Sequence, residues 1–400
     1  MSDRTVRYLK WPLLTLYLVA QACHAQPACT LQGKINLFEG WKPLVYLVHP
    51  RQFSEVAADY LGEVVDSARV AADGTISLSY VPKVAGGELY FLTMQKEGTR
   101  FATHLDDTDP MTANYMPIIL DGQHAMAFTA SSSAFQASFK INTPDPNHAA
   151  LMSLRDIRHQ AYSEYHQKQI QAEDNDTLLL DREKEFMQYA DHFVAFADTT
   201  QSMLAAMVAI RWISPAGDYE RFAEFMSRQC KKWSASSPDY SLVPGLCANA
   251  AADILPVMVG DTMPDYRLPM VNGDTLPLHL LLGKNLTIVD IWASWCAPCR
   301  KENKMILVPL WNQYKDQGLQ ILGYSIDSDG GAWQRAIEKD QATWSHASHL
   351  SGDETPFLKA LRITTIPANY MLDENGKVVA KNIYGEDLKQ WVDGYMQQTK

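Results

Sequence analysis

The sequence is short of positive charge: 35 Lys and Arg stand against 46 Asp and Glu, for a net charge of −11 at pH 7. With no basic cluster to neutralise phosphates, the chain fits neither nucleic-acid binding nor charge-driven binding to an anionic membrane surface. It has no low-complexity tract, Gly-X-Y period or sustained heptads, which excludes the fibrous classes. Cysteine is scarce, six in 400 residues, too few for a disulfide-built scaffold, so each must be read by position. No apolar run reaches the roughly 20 residues that a membrane-spanning helix needs, so an integral membrane protein is not expected. What remains is an ordinary globular composition, 46 % apolar and 20 % charged. At about 100–200 residues per domain, the length suggests two or three domains.

Residues 1–25 stand apart from the fold. Arg4, Arg7 and Lys10 form a positive start, Trp11–Ala20 an apolar run, and Cys23-His24-Ala25 a small-residue exit. This is the pattern of a secretory signal peptide. Bacterial lipoprotein signals place Leu three residues before the lipidated cysteine, whereas Ala20 stands there, so cleavage is favoured over lipid on Cys23. The expected location is the periplasm or cell envelope, where thiols can be oxidised.

Residues 26–142 alternate short β-rich runs with turn signals. Leu44–His49, Arg69–Val70, Ile76–Tyr80, Leu89–Met94, Met116–Leu120 and Ala125–Thr129 read as strands, with Ala72-Asp73-Gly74 and Asp121-Gly122 as turns. An all-β domain, a small sandwich, is predicted. Asp106, Asp107 and Asp109 lack the spacing and glycine pivot of a calcium loop and read as a solvated turn. After the linker Thr143–Asn147, residues 148–252 read as a helical connector, with apolar positions at spacings of three and four from Leu151 to Tyr165. His159 and His166 are seven apart, not the four that chelation from one helix uses, and read as surface residues.

From residue 257 to 400, strands and helices alternate as in an α/β domain. Thr287–Trp292 has the near-continuous apolar text of a buried parallel strand, and Pro298–Gln317 reads as the helix that follows, ending at Gly318. Trp295-Cys296-Ala297-Pro298-Cys299 lies at their junction. Two cysteines three apart across a first helical turn can close a disulfide without backbone movement. The first sits where free helix N–H groups stabilise its thiolate, the reacting species, and Pro298 fits the first turn because its missing N–H costs nothing there. A zinc half-site would need a second Cys or His pair nearby, and none is present. The spacing therefore points to a redox dithiol.

The segment from Ile288 to Glu302, read as IVDIWASWCAPCRKE, resembles the active-site segment of the TlpA/ResA group of exported thiol-disulfide oxidoreductases, with a thioredoxin fold. Gly260–Asp265, Thr365-Ile366-Pro367-Ala368 and Asp373–Lys377 extend the likeness over residues 257–400. The β-rich N-terminal region more faintly resembles one fused ahead of such domains in bacterial envelope proteins, which implies an architecture and no activity. The resemblance implies catalytic roles for Cys296 as attacking thiol, Cys299 as resolving thiol, and Asp290 and Glu302 as buried acids. It also implies a substrate-facing surface from Trp295, Pro298, Ile366 and Pro367, with Pro367 in a cis peptide bond. One departure is Lys304, where the family often has proline; the proline here is Pro309, so any kink should move along the helix.

Cys230 and Cys247, 17 residues apart across an expected turn at Ser234–Pro244, are candidates for a structural disulfide. Cys29 then has no evident partner. The expected protein is an exported reductase of envelope-protein disulfides. It would need no cofactor beyond the Cys296–Cys299 pair and would take electrons from an upstream thiol donor in the membrane. Thiol peroxidase is the alternative enzyme, although the Thr or Ser and the Pro that usually precede a peroxidatic cysteine are missing before both Cys296 and Cys299. A third reading is an envelope partner-binding protein with a secondary redox site.

Overall fold

A computed structural model describes residues 29–60, 62–80, 87–122, 126–143, 145–166 and 179–398. The signal-peptide reading of residues 1–25, with Cys23, lies outside the described residues.

The N-terminal part is built from β1 (Cys29–Asn36), β2 (Trp41–His49), β3 (Glu63–Arg69), β4 (Thr75–Tyr80), β5 (Glu88–Lys96), β6 (Tyr115–Leu120), β7 (Met126–Ser131) and β8 (Lys140–Asn142). Two four-stranded sheets, ordered β4-β1-β7-β8 and β3-β2-β5-β6, face each other as a sandwich. In β4 the buried Ile76, Leu78 and Tyr80 alternate with exposed residues, as a strand with one face in the core requires. The strands expected from the sequence omit β1, β8 and most of β3. Gln32, Gly33 and Lys34 dilute the apolar text of β1, and three of the seven residues of β3 are charged.

Strands β5 and β6 are buried on both faces. Tyr90, Leu92, Met94, Met116, Ile118 and Leu120 fill the sandwich core. Leu89, Phe91, Tyr115 and Ile119 point the other way and meet helices. Those helices are α1 (Pro146–Ala161), α2 (Leu179–Thr199), α3 (Met203–Ile213), α4 (Ala223–Ser236) and α5 (Val243–Ala248), with every residue of α3 buried. The region read as a connector is therefore a third layer that shares a core with the sandwich. A sheet apolar on both faces needs such a cover.

Two local readings change with it. Asp107 is an ion-pair partner rather than a solvated turn: it lies 2.7 Å from the buried Arg158, which also donates to the Tyr115 hydroxyl at 3.1 Å. Trp212 donates to the same hydroxyl at 2.8 Å, so the network ties helices to sheet. His159 is half-buried rather than a surface residue, and burial pushes its pKa down to about 4. The side chain of His166 lies outside the described residues. Cys230 and Cys247 are joined in a disulfide that links α4 to α5. The expected turn is shorter than Ser234–Pro244, because α4 runs to Ser236 and α5 begins at Val243.

The C-terminal part opens with a hairpin of β9 (Arg267–Pro269) and β10 (Thr275–Pro277). Its main sheet contains β11 (Leu286–Trp292), β12 (Leu319–Ser325), β13 (Ser345–Ser348), β14 (Ala368–Leu372) and β15 (Val378–Lys381), in the order β13-β12-β11-β14-β15. The first three are parallel, β14 runs antiparallel to β11 and β15 antiparallel to β14, which gives the expected α/β thioredoxin-like fold. Helices α6 (Ala297–Glu302), α7 (Val308–Tyr314), α8 (Gly330–Asp340), α9 (Pro356–Leu361) and α10 (Gly385–Gln398) complete it. Val289 and Ile291 enter one core while Leu286 and Ile288 enter another on the opposite face, which is why β11 reads as an unbroken apolar run. The expected long helix is interrupted by a π-helical turn at Asn303–Leu307, just before Pro309. Pro309 cannot donate an N–H to the ladder, and the wider turn absorbs that loss. Gly318, at φ +96°, ends the segment. Among the described residues no helix is long and apolar enough to cross a membrane.

Candidate active site

Strand β11 delivers the chain to the turn Ala293–Trp295, and Cys296 caps α6. The Cys296 sulfur accepts a hydrogen bond from the Cys299 N–H at 3.3 Å. Cys296 and Cys299 are joined in a disulfide across the first helical turn, with Pro298 between them in that turn. Cys296 is 5 % exposed and Cys299 1 %, so an incoming reagent meets Cys296 first, beside the 63 %-exposed Trp295.

The turn is held by residues the sequence reading missed. Asp327 accepts from the Ser294 N–H at 2.8 Å and from the Ser294 hydroxyl at 2.5 Å. Arg300 donates to the Ser294 carbonyl at 3.0 Å and pairs with the buried Asp340. The available signal for Asp327 was its place just past the end of parallel strand β12, where such sheets gather their functional loops.

The segment ending in Pro367 enters β14, whose Ala368 pairs with Ile291 near the end of β11, and so lies beside the dithiol turn. The Ile366–Pro367 bond is cis. The Pro367 carbonyl accepts from Arg221 and from the Tyr384 hydroxyl, each at 2.8 Å. The Ile366 N–H and carbonyl make no hydrogen bond to any described residue. That leaves an open backbone edge at this position.

Asp290 on β11 and Glu302 at the end of α6 are 4 % and 2 % exposed. Burial pushes the Asp290 pKa up to about 8, and the neighbouring Glu302 carboxylate adds to the rise. Burial raises Glu302 to about 7, opposed by the Gly385 N–H, which donates to its oxygens at 2.9 and 3.2 Å, and by Lys301. Glu302 is thus buried, as the resemblance implies. Two carboxyl groups in one electrostatic neighbourhood, both titrating near neutrality, can accept and return a proton under physiological conditions. A cavity of about 450 Å³ between α2 and α10 reaches Glu302 and is lined in part by Met187, Met305 and Tyr384.

Residues 258–393 match the redoxin family. Over 147 residues the chain is 26 % identical to thiol-disulfide oxidoreductase ResA of Bacillus cereus, spanning 37 % of this chain and 82 % of that protein. The C-terminal domain is a TlpA/ResA-like redoxin domain. It is also 37 % identical over 76 residues to thiol:disulfide interchange protein DsbE of Pseudomonas fluorescens biotype C, covering 19 % of this chain and 39 % of that one. Among solved structures, a thiol-disulfide oxidoreductase from Bacteroides fragilis NCTC 9343 aligns at 31 % identity and a TM-score of 0.32, covering 34 % of this chain and 98 % of that one. The activity class of the redoxin domain is thiol-disulfide oxidoreductase.

Proposed function

We propose that the redoxin domain reduces disulfides of other exported proteins in the periplasm or cell envelope, after residues 1–25 have directed export. The observation that carries this reading is a dithiol at the start of α6 accompanied by two buried carboxyl groups of raised pKa. The Cys296 thiolate attacks one sulfur of a substrate disulfide. A Cys296–substrate bond forms, and the second substrate sulfur leaves as a thiolate and takes a proton. Cys299 then gives its proton to the Asp290–Glu302 pair and attacks the Cys296 sulfur. The Cys296–Cys299 bond closes, the first substrate sulfur is released, and two electrons have passed to the substrate. An upstream membrane thiol donor restores the dithiol. Trp295, Pro298, Ile366 and Pro367 form the face on which an extended substrate rests, pairing with the open Ile366 backbone. The second disulfide, Cys230–Cys247, agrees with an oxidising compartment.

Reduction rather than oxidation is favoured by Ala297-Pro298, which resembles the intervening pair of reducing members. The reading is tested by trapping. Cys299→Ala, expressed in the native host with residues 1–25, should collect discrete envelope proteins as DTT-sensitive adducts, and Cys296→Ala should not collect that set. Absence of adducts on Cys299→Ala, together with rapid peroxide consumption by the wild type, would replace the reductase with a thiol peroxidase.

A further inference from the structure

We propose that Glu220 and Arg221, which belong to the helical layer and not to the redoxin domain, are positioning residues for disulfide exchange. They hold Thr364–Pro367 so that the Ile366 backbone stays presented to an extended substrate. The inference rests on the reductase reading of the dithiol.

The contacts are specific to this segment. One carboxylate oxygen of Glu220 accepts from the Thr364 N–H at 2.7 Å and from the Thr364 hydroxyl at 2.8 Å, and the other accepts from the Thr365 N–H at 3.2 Å. Arg221 donates to the Pro367 carbonyl at 2.8 Å and to Asn382 and the Tyr384 hydroxyl at 3.1 Å each. The two side chains thus hold the backbone at Thr364 and Thr365 on one side of Ile366 and at the Pro367 carbonyl on the other, and leave the N–H and carbonyl of Ile366 itself open. Hydrogen bonds to a charged partner are the stronger kind, and here two opposite charges fix the two ends of a four-residue loop.

The grip has a firm root. Glu220–Phe222 is a single 3-10 turn leading into α4, and Phe222 is buried in the core that the helices share with the sandwich, its ring 6.1 Å from that of Phe186. The Cys230–Cys247 disulfide ties α4 to α5. The sandwich and helices therefore act as a rigid support for one loop of the redox site, and this gives residues 148–252 a part in catalysis. A substrate strand pairs well only if its partner edge is already in place, because an edge that must be ordered on binding costs affinity. Docking of the layers does not depend on this grip alone. Lys184 pairs with Asp387 at 2.8 Å and Lys381 with Glu224 at 3.0 Å, and Arg362 donates to the Leu255 carbonyl.

The test uses the full chain in steady-state reduction of a disulfide-bonded peptide, with a small dithiol as donor. Glu220→Ala and Arg221→Met should each raise KM about 10-fold while kcat stays within about 2-fold, because substrate placement is lost and the chemistry is not. Alkylation of reduced Cys296 by iodoacetamide, which uses no backbone pairing, should keep its wild-type rate. Glu220→Gln should recover most of the KM effect, since its carboxamide oxygen still accepts. Lys184→Met, which breaks an exposed interlayer ion pair, should behave as wild type. Unchanged KM in Glu220→Ala and Arg221→Met would overturn the proposal. So would parallel losses of KM, kcat, alkylation rate and Tm, which mark a purely structural role. A wild-type chain that reduces no disulfide would overturn the reductase reading, and this proposal with it.

Discussion

Cys296→Ala should reduce a disulfide-bonded peptide no faster than buffer does, while Cys299→Ala should still perform the first half of the reaction and stop. The asymmetry follows from position. Cys296 caps α6 with 5 % of its surface exposed, whereas Cys299 is sealed at 1 % on the first turn. The thiolate is the nucleophile, and helix N–H groups favour it at Cys296. Loss of Cys296 removes the only site in the motif that a substrate can reach. Loss of Cys299 leaves one peptide bound per protein through Cys296, released by DTT. The comparison is made on quenched mixtures by non-reducing mass analysis. Equal residual turnover in the two variants would show that the cysteines are interchangeable and the assignment wrong.

Asp290→Asn changes how stability depends on pH. An aspartate has a pKa near 4 in an unfolded chain, and in the folded protein burial and Glu302 raise that of Asp290 to about 8. Below pH 4 both states hold the proton. Between pH 4 and 8 the folded state retains a proton that the unfolded chain has lost, so stability falls as pH rises through this window. At about 1.4 kcal/mol per pKa unit, the fall attributable to Asp290 is on the order of several kcal/mol. Asparagine carries no such proton. The wild-type urea midpoint should therefore drop between pH 4 and 9, and that of Asp290→Asn should drop much less and exceed the wild type at pH 9. Parallel pH profiles would mean that Asp290 is solvated in the folded protein.

Much of the redox site was legible because its chemistry imposes spacing. Cys296 and Cys299 must stand three apart to bridge a helical turn, and Asp290 was conspicuous as a charge inside an apolar strand. Glu302 was legible only by resemblance, since nothing in the local sequence says that Gly385 and the start of α10 close over it. Asp327, Arg300 and Asp340 act from sequence positions far from Ser294, and no local pattern encodes that contact. The helical layer was read as a connector for the same reason. Its apolar face was visible in the spacing of Leu151 and Leu154, but its partner was not, and β5 and β6 carry no sign of which of their two faces meets helices. Asp107 shows the limit most plainly. A carboxylate in a polar turn looks solvated until Arg158, which is distant in sequence, is brought 2.7 Å away.

Transfer of two electrons through the Cys296–Cys299 pair is measured in a single turnover of the reduced full chain with one equivalent of a disulfide-bonded peptide, quenched in acid and mapped by mass spectrometry. One Cys296–Cys299 disulfide should form for each peptide disulfide lost, with two peptide thiols released and a transient adduct carried on Cys296 alone. Peptide reduction without closure of Cys296–Cys299, or an adduct carried on Cys299, would contradict this route.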